Sequence, residues 1–454
     1  MSTTVAAAPE TGAHGRVIRA AGSVLAAGAV VKIASTGKEF VLAGIYGRSD
    51  AMDAFLAAFL IPNLLVNLIA ESMNQALVPT LIRVKIREGR ERAQQLLSSS
   101  ISTMCALLVA VSLAMAALAR GIFPVIASGF SPAKLDLSIR LFFVLLPVVL
   151  FTGVASNCTA SLNTLDHFAF PVLAQLAVPI SIVAGTLMFH GRWGIWALVY
   201  ATLFGTLAHT VLVVAQMNAS GYRFRLAWPG NDEASREVAR QYVPVLLSSV
   251  VASGGLLVDQ AMAAMLAAGS VSALVFANRF VSVVVTLMAG AVATAVTPHM
   301  SEMIARCDWG QCRRTLHTWS RTMAAISIPV AVLLIVGAQP LVRLTLQHGA
   351  FGAHDTAVVK TVLVMYAIQV PFFVISRVYY RFVVAMRRTD LVLYCGVLNL
   401  VLDVVLNLVL MRWFGVAGIA LATSCWSAAT LLFLWYWARR LLANADRFPQ
   451  EGCA

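Results

Sequence analysis

Three cations sit where cations are expensive. Lys32 and Lys38 fall inside the first long apolar stretch of the chain, and Arg279 inside the eighth. A cation at the centre of a membrane-spanning helix costs about 2.5–3.5 kcal/mol on the insertion scale, so three without partners would cost roughly 9 kcal/mol. Such side chains must face protein, water or an anion. Glu39, Asp53, Glu71 and Asp259, all in or near apolar stretches, are the carboxylates available to them. Two readings stand side by side: structural ion pairing, or a hydrated cationic cavity, with Glu39, Asp53 and Glu71 as its acidic partners, that binds an anionic substrate. The second is preferred here.

The eleventh apolar stretch carries Asn399, Asp403 and Asn407 at successive steps of four, which places all three on one helical face. A carboxylate flanked by amides inside a membrane suits a cation or a proton. Interhelical hydrogen bonding accounts equally well for the asparagines, but an isolated carboxylate in hydrocarbon must be neutralised or paired. His167, His190, His348 and His354 lie near the ends of apolar stretches at no ligand spacing and read as interfacial. No nucleophile–base set, phosphate-binding glycine loop or zinc motif is visible, so the chain is not expected to be an enzyme or to hold a resident cofactor.

The elements that must carry these residues are membrane spans. Of the chain's residues 60% are hydrophobic and only 12% charged, against about a quarter charged in soluble proteins. Apolar stretches of about 20 residues recur throughout, each able to cross about 30 Å of hydrocarbon as a helix. Twelve are expected, at approximately 20–46, 51–81, 97–119, 138–162, 170–189, 194–216, 243–266, 272–299, 322–345, 357–380, 391–411 and 414–438. The fold class is therefore all-α and polytopic. The net charge of +13 is dispersed over short connections rather than gathered on one face, which excludes nucleic acid as a partner. The seven cysteines show no CxxC spacing and read as packing residues. Glycines 22, 28, 37, 44 and 47 suit close packing of the first helix. The polar N-terminal lead ends in Arg16 and Arg19 with no cleavage site after the first span, which is read as retained.

Alternate connections hold 21 of the 33 Lys and Arg residues, including Arg83, Lys85, Arg87, Arg90 and Arg92, and later Arg381, Arg387 and Arg388. The opposite connections hold chiefly Arg48, Arg120, Lys134, Arg192 and Arg412. The positive-inside bias places both termini in the cytoplasm, and the 83–92 segment is suited to anionic headgroups. The chain also matches itself at a shift of about 220 residues: Ala76-Leu77-Val78-Pro79 with Ala295-Val296-Thr297-Pro298, and the run from Trp193 to Thr202 with that from Phe414 to Thr423. Two six-helix bundles are expected, 20–216 and 243–438, joined by a cytoplasmic linker at 217–242 and flanked by cytoplasmic tails at 1–19 and 439–454. Six is even, so the repeat is parallel, with a substrate site between halves that rock in alternating access.

The run from Ser49 to Leu65, followed by Ala70-Glu71-Ser72-Met73-Asn74-Gln75-Ala76-Leu77-Val78-Pro79, resembles the MurJ/MviN family, part of the multidrug/oligosaccharidyl-lipid/polysaccharide exporter superfamily. The likeness continues through Ser161-Leu162-Asn163-Thr164, Gly269-Ser270-Val271-Ser272 and Ala277-Asn278-Arg279. It implies a flippase that carries an undecaprenyl-pyrophosphate-linked sugar across the membrane through a cationic cavity. Lys32 and Lys38 then stand where the family has arginines, and Arg279 matches a family arginine. The family's sodium site implies a coupling cation at Asp259, Asn399, Asp403 and Thr423, as Na+ or in its place H+.

Val66 and Asn67 replace basic residues of the family motif, and lysine offers a point charge where arginine offers a planar fork. The chain stops after its twelfth helix, whereas the family's lipid II flippases carry two more. The expectation is accordingly a bacterial inner-membrane exporter of an exopolysaccharide or surface-glycan repeat unit, with membrane lipids, a lipid-linked glycan, and a glycan polymerase or glycosyltransferases of the same pathway as partners. A lipid II flippase and a cation-coupled multidrug exporter are the alternatives; a membrane polymerase or glycosyltransferase finds no acidic catalytic cluster.

Overall fold

The computed structural model describes residues 11–165, 168–223 and 233–447. Among these it is helical without strands: α1 (Thr11–Tyr46), α2 (Asp50–Leu65), a π-helical turn (Val66–Glu71), α3 (Ser72–Arg87), α4 (Arg90–Ile126), α5 (Pro132–Asn163), α6 (Ala169–Ala174), α7 (Ala177–Trp193) and α8 (Ile195–Ala219). There follow α9 (Glu233–Ala264), α10 (Ser270–Ala305), α11 (Trp309–Val336), α12 (Ala338–Leu346), α13 (Ala353–Ala367), α14 (Gln369–Ala385), α15 (Thr389–Phe414) and α16 (Val416–Arg447). Ten helical stretches among the described residues are long and apolar enough to cross a membrane. At 1.5 Å per residue, α1 and α9, with 36 and 32 residues, also exceed the hydrocarbon thickness. Each of the twelve expected spans thus has its helix, and the protein is a polytopic all-α membrane protein.

Two of the spans are broken by proline in the same way. Pro371 and Pro179 have no N–H to give to residues 367 and 175, and their rings crowd those carbonyls. α13 ends at Ala367 and α6 at Ala174, and in each case a new helix starts two or three residues on. Large apolar side chains such as Leu344, Trp413 and Val336 remain more than three-quarters exposed, as lipid-facing residues must.

Contacts divide the chain into two compact units that do not follow chain order. The first comprises the segments up to Glu39, Pro62–Ala116 and Val144–Leu246; the second comprises Phe40–Ile61, Ala117–Phe143 and the chain from Leu247 onward. Within the first, α7 and α8 form an antiparallel hairpin, and the Thr210 hydroxyl of α8 donates to the Phe151 carbonyl of α5 at 2.8 Å. Basic residues expected to set topology also close helix ends here. Lys85 donates to the Thr164 carbonyl at 2.6 Å and Arg90 to the Ser220 carbonyl at 2.6 Å, cations at the negative ends of α5 and α8. Arg83 pairs with Glu237.

Within the second unit, α15 and α16 form the corresponding hairpin, and the Ser424 hydroxyl of α16 donates to the Met365 carbonyl of α13 at 2.6 Å. Donor and acceptor are 59 residues apart in both units. The corners agree as well. Gly194 has φ 54° and ψ −129°, and Gly415 has φ 55° and ψ −134°, a combination that a side chain would oppose. The self-similarity of the sequence at these corners is a shared backbone geometry.

Candidate transport site

On α1, in the first unit, the Lys38 ammonium lies 3.1 Å from the Glu39 carboxylate, and both side chains are largely shut off from solvent. Lys32 is half-buried one and a half turns earlier on the same helix. Glu71, the other acidic residue expected in that unit, ends the π turn and is exposed; it accepts a hydrogen bond of 3.2 Å from Ser156, which is itself bonded to Asn74. A π turn spends an extra residue per turn and is common at functional positions. It occupies 66–71, the place where Val66 and Asn67 depart from the family motif.

In the second unit, Arg279 lies half-buried on α10, and its neighbour Phe280 stacks on Phe40 at 5.8 Å between ring centres. Asp53 is 1% exposed and does two jobs. Its carboxylate accepts from the backbone N–H of Gly269 at 2.7 Å and of Ser272 at 2.9 Å, which supplies α10 with the N-terminal cap its own sequence lacks. It also pairs with Lys134 at 3.0 Å, and Lys134 reaches Asp50 at 2.7 Å. Lys134, read from the sequence as a connecting-loop residue, is buried in the first turn of α5. Arg48, on the same corner, donates to the Gly269 carbonyl at 2.9 Å and pairs with Asp355 at 3.3 Å.

The polar face of α15 meets α9 in the same unit. The Asn407 amide donates to Asp259 at 2.8 Å and to Asp403 at 3.3 Å, so one side chain holds two carboxylates together. Asp403 Oδ2 and Asn407 Oδ1 are buried with no hydrogen-bond partner. Tyr366 of α13 is buried within electrostatic reach of both carboxylates and within hydrogen-bond reach of Thr423 on α16. Four of the side chains therefore converge with Thr423. Asn399 stands one turn away and accepts instead from Thr430 at 2.6 Å. Asn407 and Tyr366 were not among the expected ligands: the first was legible as a same-face residue, whereas nothing in the sequence ties the second to Asp403. No group of three or more His, Cys, Asp or Glu that could hold a metal occurs among the described residues. Two carboxylates held together, with the orphaned buried oxygens of Asp403 and Asn407 beside them, do suit a single hard cation. His167 lies outside the described residues.

A helical bundle of this kind defines a polytopic membrane protein, and charged side chains inside its spans mark a functional site. The sequence profile described as "Lipid II flippase MurJ" matches residues 42–449, and the chain belongs to this family. Its relatives include a protein described as a probable lipid II flippase MurJ from Buchnera aphidicola subsp. Acyrthosiphon pisum, 23% identical over 77% of this chain and 69% of that protein. Another, from Bdellovibrio bacteriovorus, carries the same description and is 23% identical over 73% of this chain and 64% of the relative. The matched stretch spans about two thirds of these relatives' lengths. A solved structure of the lipid II flippase MurJ in an inward closed conformation superposes with a TM-score of 0.78 at 22% identity, over 92% of this chain and 87% of that one. An inward-facing multidrug resistance MATE transporter of the MOP superfamily superposes with a TM-score of 0.77 at 13% identity, over 92% and 96% of the two chains. The fold is thus common to both groups and does not select a cargo. The relatives' descriptions favour the lipid II alternative over the exopolysaccharide unit expected from the sequence.

Proposed function

We propose that this protein is a flippase for a glycan precursor linked to a polyprenyl pyrophosphate, with lipid II as its cargo, in the inner membrane of a bacterium and with both chain ends cytoplasmic. The match of residues 42–449 to the lipid II flippase family carries this reading. Lys32, Lys38 and Arg279 give the pyrophosphate compensating charge as it leaves the headgroup region, while the prenyl tail stays in lipid. Lys38 reaches the pyrophosphate in competition with Glu39, so cargo binding and that ion pair exchange. Glu71 and Asp53 complete the acidic partners, Asp53 through the cap it gives α10.

Asp259, Asp403 and Asn407 hold a coupling cation, Na+ or H+, with Thr423 beside them and Asn399 one turn away. The unpartnered oxygens of Asp403 and Asn407 support this assignment. A bound cation supplies positive charge to two carboxylates that otherwise repel, and so draws α9 and α15 together.

Complementation is the test. Expression in a strain depleted of its lipid II flippase restores growth if lipid II is the cargo. Failure to restore growth from a protein that reaches the membrane, with restored export in a strain lacking an exopolysaccharide-unit flippase, would return the cargo to the surface glycan first expected.

A further inference from the structure

Arg381 counts, in the sequence, among the basic residues of a connection. The structure puts it inside α14, one turn beyond Arg377, in a stretch that is otherwise apolar. The Nε atoms of both guanidinium groups are buried and have no hydrogen-bond partner. Among the described residues of the second unit, neither is paired with a carboxylate. Their neighbours are aromatic: Arg377 lies 4.1 Å from the Phe373 ring centre and 5.6 Å from that of Tyr380, and Arg381 lies 6.0 Å from the same Tyr380 ring. Arg377 is also within electrostatic reach of Cys395 on α15.

Ring faces attract guanidinium groups but leave their N–H donors unsatisfied. Two like charges one turn apart repel each other, and both side chains are half-buried with their Nε atoms shut off from solvent. A structural role would call for a carboxylate beside them. An oxyanion between them would neutralise the pair and accept from the open donors, and phosphate is the oxyanion that two planar forks fit best. By helical rise, Arg381 and Arg377 lie about 6 and 12 Å inside the end of α14 that leads to Arg387 and Arg388. That depth is within reach of a headgroup phosphate at the basic face of the membrane. Arg279, by contrast, lies nine residues from the opposite, capped end of α10.

We propose that Arg377 and Arg381, braced by Phe373 and Tyr380, form a phosphate-binding station in the basic-side half of α14, separate in depth from Arg279. It takes the phosphate of a lipid, either the pyrophosphate of a polyprenyl cargo on its way in or the headgroup of a bilayer phospholipid. Only the first of these sources rests on the flippase reading.

Native mass spectrometry of the full chain, released from lipid nanodiscs, measures retention of undecaprenyl pyrophosphate and, separately, of phosphatidylglycerol, each with and without inorganic pyrophosphate as competitor. Retention that inorganic pyrophosphate displaces, and that falls at least tenfold in R377Q/R381Q, supports the station. A fall for undecaprenyl pyrophosphate assigns the cargo as source; a fall for phosphatidylglycerol alone assigns the bilayer and leaves the station standing even if the flippase reading fails. The conservative variant R377K, which keeps the charge and loses the fork, is expected to lose a smaller part and serves if the double variant does not fold. Equal retention of both lipids by wild type and by R377K and R377Q, or no retention by wild type, would overturn the proposal.

Discussion

The Lys134 ammonium and the Asp53 carboxylate lie 3.0 Å apart at a corner where both are almost wholly buried, and the same carboxylate closes the N-terminus of α10. Two helices that are far apart in the chain, and the start of a third, thus depend on one side chain. Removing one member of a buried pair costs about 3–5 kcal/mol, because its partner is left behind. Asp53→Ala is therefore expected to lower the thermal unfolding midpoint of the detergent-solubilised protein far more than Lys134→Met, which leaves the capping bonds in place. Equal midpoints for the two variants would show that the cap contributes nothing.

For the carboxylate site, the prediction concerns ions. Wild-type protein should be stabilised by sodium chloride relative to choline chloride, since a ligand that binds only the folded state adds RT ln(1 + [L]/Kd). Asp403→Asn and Asp259→Asn should each abolish that increment while melting normally in choline. Persistence of the sodium effect in both variants would remove sodium from these residues, and a shift that follows pH instead would make the proton the bound ion.

Transport should respond to the cations inside the spans. Arg279→Ala and Lys38→Ala are expected to stop precursor from reaching the outer leaflet, read as loss of accessible lipid-linked glycan in cells, with the protein still in the membrane. Lys38→Arg keeps the charge and should keep most activity. Normal outer-leaflet precursor in both alanine variants would end the cationic-cavity reading.

The two hairpin corners make a paired prediction. Gly194→Ala and Gly415→Ala each force a side chain into backbone angles that favour glycine, at about 1–3 kcal/mol apiece. Comparable losses of thermal stability are expected from the two. A loss at one corner alone would mean that the shared angles do not carry equal strain.

The sequence by itself determined the spans, the retained repeat at Gly194 and Gly415, the family, and the single face that Asn399, Asp403 and Asn407 share. Each of these is written locally, in apolar length, in a motif or in a period of four, and needs no knowledge of what packs against it. Partnership is not local. That Lys134 belongs to a buried pair rather than a loop, that Asn407 rather than Asn399 bridges to Asp259, and that Arg381 lies inside α14 beside Arg377 were decided only when helices tens to hundreds of residues apart came together. A charge in an apolar stretch announces that it needs a partner, but desolvation acts on the assembled interior, and only the tertiary structure decides which group meets that need.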